Sequence, residues 1–256
     1  MIGFGLSPGA TASGVAATLR AFPSGIPNLV AVYDPSDLSS LFQDTAGTIP
    51  AGVGDPVRLM QDKSGNARHM RAGSDAARPV LQSSGGLYWL EGDGVDDLMV
   101  ADDGVMFSTT VYTALACRLL SFSTSFPGIL RHAAGTGGST AGRQPLVYFD
   151  STLPLRCFTQ YGTSNMFVSL GSSVVGTDLV IDSYVEPSGA YLNSNGVSTT
   201  GAGVTLTNTA PEAMRIFGTS IANARFYGAL LTHTIPTVAK QAQIRQWLAA
   251  KSGGIA

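Results

Sequence analysis

With 256 residues, 44% of them hydrophobic and 12% charged, the chain can bury a substantial core, either in one large domain or in two smaller ones; we read one. The 31 glycines, with abundant Ser and Thr, make a composition of strands and turns. A formal charge of -2, with no Lys/Arg run interleaved with aromatics, excludes nucleic acid as an expected partner, and no apolar stretch is long enough to insert in a membrane.

Residues 1–28 differ from the rest. They are rich in Gly, Ala and Ser, place Val15, Leu19 and Phe22 at helix-compatible spacing, and end on the breakers Pro23, Gly25 and Pro27. We read them as an arm that either packs along its own domain or docks on a partner, with Phe4, Leu6, Val15, Leu19 and Phe22 as its attachment side chains. The first basic residue is Arg20, so no secretory leader is expected.

The body, 29–256, opens with the strand Leu29-Val-Ala-Val-Tyr33 and a turn at Asp34-Pro35, and Val57 to Asp62 reads as a second strand. The polar stretch from Asp62 to His69 could pair an acid with a histidine. A loop held by Asx-type bonds explains it with less. Leu87 to Val100 reads as strand, acidic turn, strand, with Glu91, Asp93, Asp96 and Asp97 around Gly92 and Gly94. Those carboxylates are catalytic, or hold calcium, or hydrogen-bond their own turn. Tyr88 and Trp89 are adjacent in the first of these strands and so must point to opposite faces.

Further strands are expected at 109–120, 128–132, 145–150, 155–161, 166–171, 178–185, 189–192, 214–217 and 226–232, separated by turn signals at sandwich-like intervals. Asn193-Ser194-Asn195-Gly196 predicts a tight hairpin, because Asn and Gly tolerate positive φ. Only 237–251 reads as helix. Thr237 is its N-cap, Ile244, Trp247 and Leu248 share one face, Lys251 lies in the last turn, and Ser252-Gly253-Gly254 ends it. That face is expected to pack on the body. Cys117 and Cys157 sit in apolar surroundings and read as reduced, buried thiols, and the three histidines have no zinc spacing.

Taken in order, Tyr33-Asp34-Pro35-Ser36-Asp37-Leu38, Asp62-Lys63-Ser64-Gly65-Asn66, Ala77-Arg78-Pro79, Leu90 to Asp97, Tyr191 to Gly196 and Phe226-Tyr227-Gly228-Ala229-Leu230 resemble laminin-G/concanavalin A-like domains. The version they resemble most is that of tailed-phage and prophage virion proteins, over about residues 29–251. The resemblance implies an all-β fold, a two-sheet antiparallel jelly-roll sandwich, here with an N-terminal arm and a C-terminal α-helix. Composition and turn spacing agree with that architecture.

The same superfold includes retaining glucanases with the pattern Glu-x-Asp-x-x-Glu, which Glu91-x-Asp93-x-x-Asp96 resembles with Asp in the last place. The shorter side chain and the flanking glycines argue against hydrolysis. Calcium is common in laminin-G and lectin domains, and Asp93, Asp96, Asp97, Asp102 and Asp103 are the carboxylates that would hold a structural ion; no other cofactor is expected. A carbohydrate contact needs exposed aromatics, for which the candidates are Trp89, Tyr148, Tyr161, Tyr184 and Tyr191.

The leading expectation is a non-enzymatic virion protein, a capsid decoration, head fibre or tail-associated module. It assembles in the bacterial cytoplasm as a homo-oligomer, with residues 1–28 on other virion proteins. The alternative is an adhesin that binds a host-surface glycan, and a glycoside hydrolase built on Glu91 and Asp96 comes third.

Overall fold

The computed structural model describes residues 22–105, 110–122, 128–132, 147–150, 156–161, 164–169, 175–203, 213–217 and 222–253. Strands are numbered in chain order and every pairing is antiparallel. From edge to edge, sheet A runs β15 (Val197–Gly201), β14 (Gly189–Ser194), β13 (Asp178–Glu186), β8 (Val111–Phe122), β17 (Ala222–Thr232), β6 (Leu87–Asp93), β5 (Val80–Ser84), and β1 (Leu29–Tyr33) also pairs with β17. Sheet B runs β12 (Ser164–Ser169), β11 (Arg156–Tyr161), β10 (Val147–Asp150), β9 (Gly128–His132), β16 (Met214–Ile216), β7 (Met99–Ala101), β4 (Met70–Ala72), β3 (Leu59–Met60), β2 (Leu41–Phe42). This is the two-sheet sandwich that the sequence predicts.

Alternation along each strand decides what faces the interior. On β8, Leu115, Cys117 and Leu119 point into the space between the sheets and meet Met60, Met70, Met99, Met214 and Ile216 of sheet B. Each such fully buried apolar side chain contributes roughly 1.5–3 kcal/mol. The opposite face of β8 carries Tyr112, Ala114 and Ala116, which belong to a second apolar layer outside the sandwich. Tyr88 packs toward the inner core and Trp89 lies in the outer layer, so the adjacent pair divides between faces as strand geometry requires.

That outer layer is closed by helix α1 (Val238–Ser252), which buries Ile244, Trp247 and Leu248 against sheet A. Thr237 caps the helix by accepting the Lys240 N–H at 3.4 Å, and Gly253 ends it at φ 69°. Lys251 does not reach solvent from the last turn. It is 3% exposed, with Nζ 2.8 Å from both Asp34 oxygens and from Ser36 Oγ, which fastens the helix end to the turn after β1. Gly228, at φ 153°, lets β1 approach: a Cβ there would lie 2.9 Å from the Tyr33 carbonyl oxygen.

Phe22 sits edge-on to Trp247 at 5.2 Å, Lys240 Nζ donates to the Ser24 carbonyl at 2.6 Å, and Ile26 joins the outer layer. The last part of the arm therefore packs along its own domain. Phe4, Leu6, Val15 and Leu19 lie outside the described residues. The Asp62 to His69 stretch is the Asx-held loop. Asp62 accepts the N–H groups of Val32 and Ser64, each at 2.9 Å, and His69 Nδ1 accepts the Asp62 N–H. Of the strand expected over 57–62, only β3 forms.

Candidate functional site

Helix α1 covers the middle of the outer face of sheet A, where Ala114 and Ala116 leave room for it, and polar or aromatic groups emerge beyond it. At one end, register places Asp178, Arg118, Arg225 and Glu91 side by side on β13, β8, β17 and β6. Two arginines directly opposite each other repel, and the flanking acids offset this. Arg118 donates to Asp178 from Nε at 2.9 Å and Nη2 at 2.5 Å, and Arg225 Nε donates to Glu91 at 3.1 Å. All four side chains are partly exposed.

Aromatics underlie the row. The Arg225 guanidinium lies 4.4 Å over the Trp89 ring, Trp89 Nε1 donates to Glu91 Oε2 at 3.0 Å, and the Tyr227 ring is 5.9 Å from Trp89. Tyr227 donates its hydroxyl to Asp178 Oδ1 at 2.8 Å; burial first, then that bond, pushes its pKa up to about 12. The Asp178 hydrogen bond likewise holds the Arg118 guanidinium above its ordinary value. The result is a network of planar groups held on the sheet, two donors at its centre and an acceptor on either side.

At the other end of the face, Tyr184 and Tyr191 are cross-strand partners whose rings stack at 5.2 Å and 17°. Between the two ends, Asp182 is fully buried and receives Arg245 Nη1 from α1 at 2.9 Å and the Tyr112 hydroxyl at 3.2 Å. Burial, then the charge of Asp182, pushes the Tyr191 phenol up.

Beyond the row, the acidic turn is held by its own carboxylates. Asp93 Oδ1 accepts the Val95 N–H at 2.7 Å, and Asp97 Oδ2 accepts the Asp93 N–H at 2.7 Å. Gly94 takes φ 76° close beside Asn223. Oxygens of Asp93, Asp96 and Asp97 lie within 4.8 Å of one another, and burial, ahead of its acidic neighbours, raises Asp97 to about 6. This oxygen-only donor set suits a hard cation. Of the other two candidate carboxylates, Asp102 is engaged by Arg71 Nε at 2.7 and 2.9 Å, and Asp103 is exposed and lies outside the cluster.

One further expectation changes. Trp89 is 5% exposed because Arg225 and the helix layer cover it, so its ring is not a free stacking platform. Glu91 is engaged by Trp89 and Arg225, and Asp96 sits in the turn cluster. Tyr148 and Tyr161 fall on β10 and β11, with side chains outside the described residues. Arg118, Asp178, Arg225 and Tyr227 escaped the sequence reading because strand register, not a local motif, brings them together.

No protein-family model matches the chain, nor does any curated protein. Solved structures do share its fold. A Trypanosoma rangeli sialidase superposes with a TM-score of 0.56 at 11% identity, covering 91% of this chain and 34% of the sialidase. Domain 4 of AbnA, a GH43 extracellular arabinanase from Geobacillus stearothermophilus solved in complex with arabinotriose, gives 0.58 at 11%, covering 87% of this chain and 98% of that domain. A GH54 α-L-arabinofuranosidase gives 0.58 at 11%, covering 87% and 63%. The chain spans about a third of the length of the sialidases it matches. At these identities the likeness is one of fold: β-sandwich domains found in carbohydrate-active proteins.

Proposed function

We propose that this chain is a non-enzymatic jelly-roll module displayed on a phage particle, and that the outer face of sheet A contacts carbohydrate on the host surface. The observation that carries the binding part is the row Asp178, Arg118, Arg225 and Glu91, part-exposed and backed by Trp89 and Tyr227. Neighbouring hydroxyls of a sugar suit paired donors and acceptors held in fixed planes, and sheet positions hold them more precisely than loops do. The arabinotriose complex of the matching arabinanase domain lends support from a protein of the same fold.

The virion setting rests on the ordered phage-type motifs, from Asp62-Lys63-Ser64-Gly65-Asn66 to the closing Gln243 to Gly253 helix. Within it, the part of the arm ahead of Phe22, residues 1–21, attaches to other virion proteins, and assembly takes place in the bacterial cytoplasm. The engagement of Glu91 by Trp89 and Arg225 favours a binding role over hydrolysis. Asp93, Asp96 and Asp97 are the residues that would hold a structural calcium ion.

Mass spectrometry of purified particles tests the setting. The chain is expected on intact virions, and a variant lacking residues 1–21, which keeps Phe22, Ser24 and Ile26 packed on the domain, is expected to be lost from them. Full occupancy by the truncated variant counts against the arm as anchor. Release of reducing sugar that Glu91→Gln abolishes would restore the hydrolase.

A further inference from the structure

The edges of the sheets are treated unequally. The outer edge of β5 is covered, with the Gly54 N–H donating to the Leu81 carbonyl at 2.7 Å and the Leu81 N–H donating to the Asp55 carbonyl at 3.0 Å. The edge at β2 is covered too: the Ala51 N–H reaches the Leu41 carbonyl at 2.9 Å, and Phe42 bridges Pro50. Strand β15, at the opposite end of sheet A, pairs with β14 on one side and lies near β12, the edge strand of sheet B; among the described residues no strand pairs with the outer side of either. Bare edges attract other strands, so proteins blunt them with charge, proline, bulges or covering loops. Val197-Ser198-Thr199-Thr200-Gly201 has no charge and no proline, and its register with β14 is unbroken over five pairs.

The hairpin fixes which groups face outward. Asn195 and Gly196, at φ 47° and 83°, form a two-residue loop, so Ser194 and Val197 are a hydrogen-bonded pair. Alternation makes Leu192/Thr199 and Ala190/Gly201 the next such pairs. The N–H and C=O groups of Ser198 and Thr200 therefore point away from β14, toward the side that pairs with no described strand, and four of the five residues of β15 are exposed.

We propose that this edge pairs antiparallel with β15 of a second copy of the chain about a twofold axis. With Ser198 and Thr200 outward the axis passes at Thr199, so Ser198 of one copy faces Thr200 of the other and like residues flank the axis on the same face; that closeness penalises a charge on the strand, and β15 carries none. Antiparallel pairing is self-complementary, since each outward N–H of Ser198 or Thr200 meets an outward carbonyl of the same strand in the other copy. A twofold axis normal to the sheet leaves both outer faces on one side. The dimer then presents two charged rows in the same direction, an arrangement suited to avidity. Pairing itself does not depend on what those rows bind.

Sedimentation of the full chain is expected to show a dimer of twice 26.4 kDa in the micromolar range. Thr200→Pro deletes an outward N–H without touching the β14 ladder, a position where strands tolerate proline. It is expected to weaken dimerisation by roughly tenfold or more while leaving the circular dichroism unchanged. Thr200→Lys keeps the backbone and sets like charges across the axis, so it is expected to weaken the dimer most at low salt. A wild-type monomer across that range, or a dimer equally strong in both variants, overturns the proposal. So does a dimer that ignores both variants but is lost when residues 1–21 are removed, which assigns the association to the arm.

Discussion

Arg245→Met tests how α1 is fastened over the outer layer. Asp182 is 0% exposed, its Oδ2 receives Arg245 at 2.9 Å and Tyr112 at 3.2 Å, and its Oδ1 has no hydrogen-bond partner. Without Arg245 a carboxylate stays buried with only a phenol to answer it. Breaking a buried pair in this way costs about 3–5 kcal/mol, and the 21% exposure of the Arg245 side chain places the loss toward the lower figure. For a chain of this size that is a fall in Tm of roughly 6–20 °C. The loss must also depend on pH. Burial already raises the Asp182 pKa and Arg245 partly offsets that rise, so the variant's folded pKa lies higher still. The folded variant then gains a proton more readily than the unfolded chain, and its deficit shrinks as pH falls. Urea unfolding at neutral and acidic pH measures both effects, and Asp182→Asn in the Arg245→Met background is expected to recover much of the loss. A deficit below about 1 kcal/mol, or one indifferent to pH, would refute the reasoning.

Asp97, raised to about 6 mainly by burial, holds its proton more tightly when folded; its stabilising share is complete below about pH 4 and is lost as pH rises through 6. Asp97→Asn is therefore expected to raise Tm at neutral pH and to match wild type near pH 4; equal Tm values at neutral pH contradict this. Millimolar calcium is expected to stabilise wild type more than Asp97→Asn, and a wild-type melting curve unmoved by calcium removes the ion. Gly92→Ala puts a Cβ 2.7 Å from the Phe217 ring, which is buried at φ 60° with little room to yield; urea midpoints are expected to show about 1–3 kcal/mol lost, and an unchanged midpoint shows that the ring moves freely.

Features encoded locally were legible in the sequence. Thr237 caps its helix, Asn195-Gly196 closes its hairpin, and Gly94 turns between β6 and β7, because each depends on neighbours within a few residues. Opposite faces for Tyr88 and Trp89 follow from strand periodicity alone. Whether Trp89 met solvent did not, since α1, well over a hundred residues later in the chain, and Arg225 decide it. β2, β3 and β4 are too short for periodicity to register, and their pairing partners define them. The charged row illustrates the same limit: Glu91, Arg118, Asp178 and Arg225 become neighbours only through the register of four strands, which no single stretch of sequence states.

The claim that the outer face of sheet A contacts carbohydrate is tested most directly by glycan binding to wild type and to Arg225→Lys. Lysine keeps the charge over Trp89 but loses the planar fork. Wild type is expected to bind a defined set of glycans, without releasing reducing sugar, and the variant to bind them roughly tenfold more weakly or worse at a nearly unchanged Tm. Binding of equal strength by both proteins, or no binding by wild type to glycans of the correct host, would contradict the account.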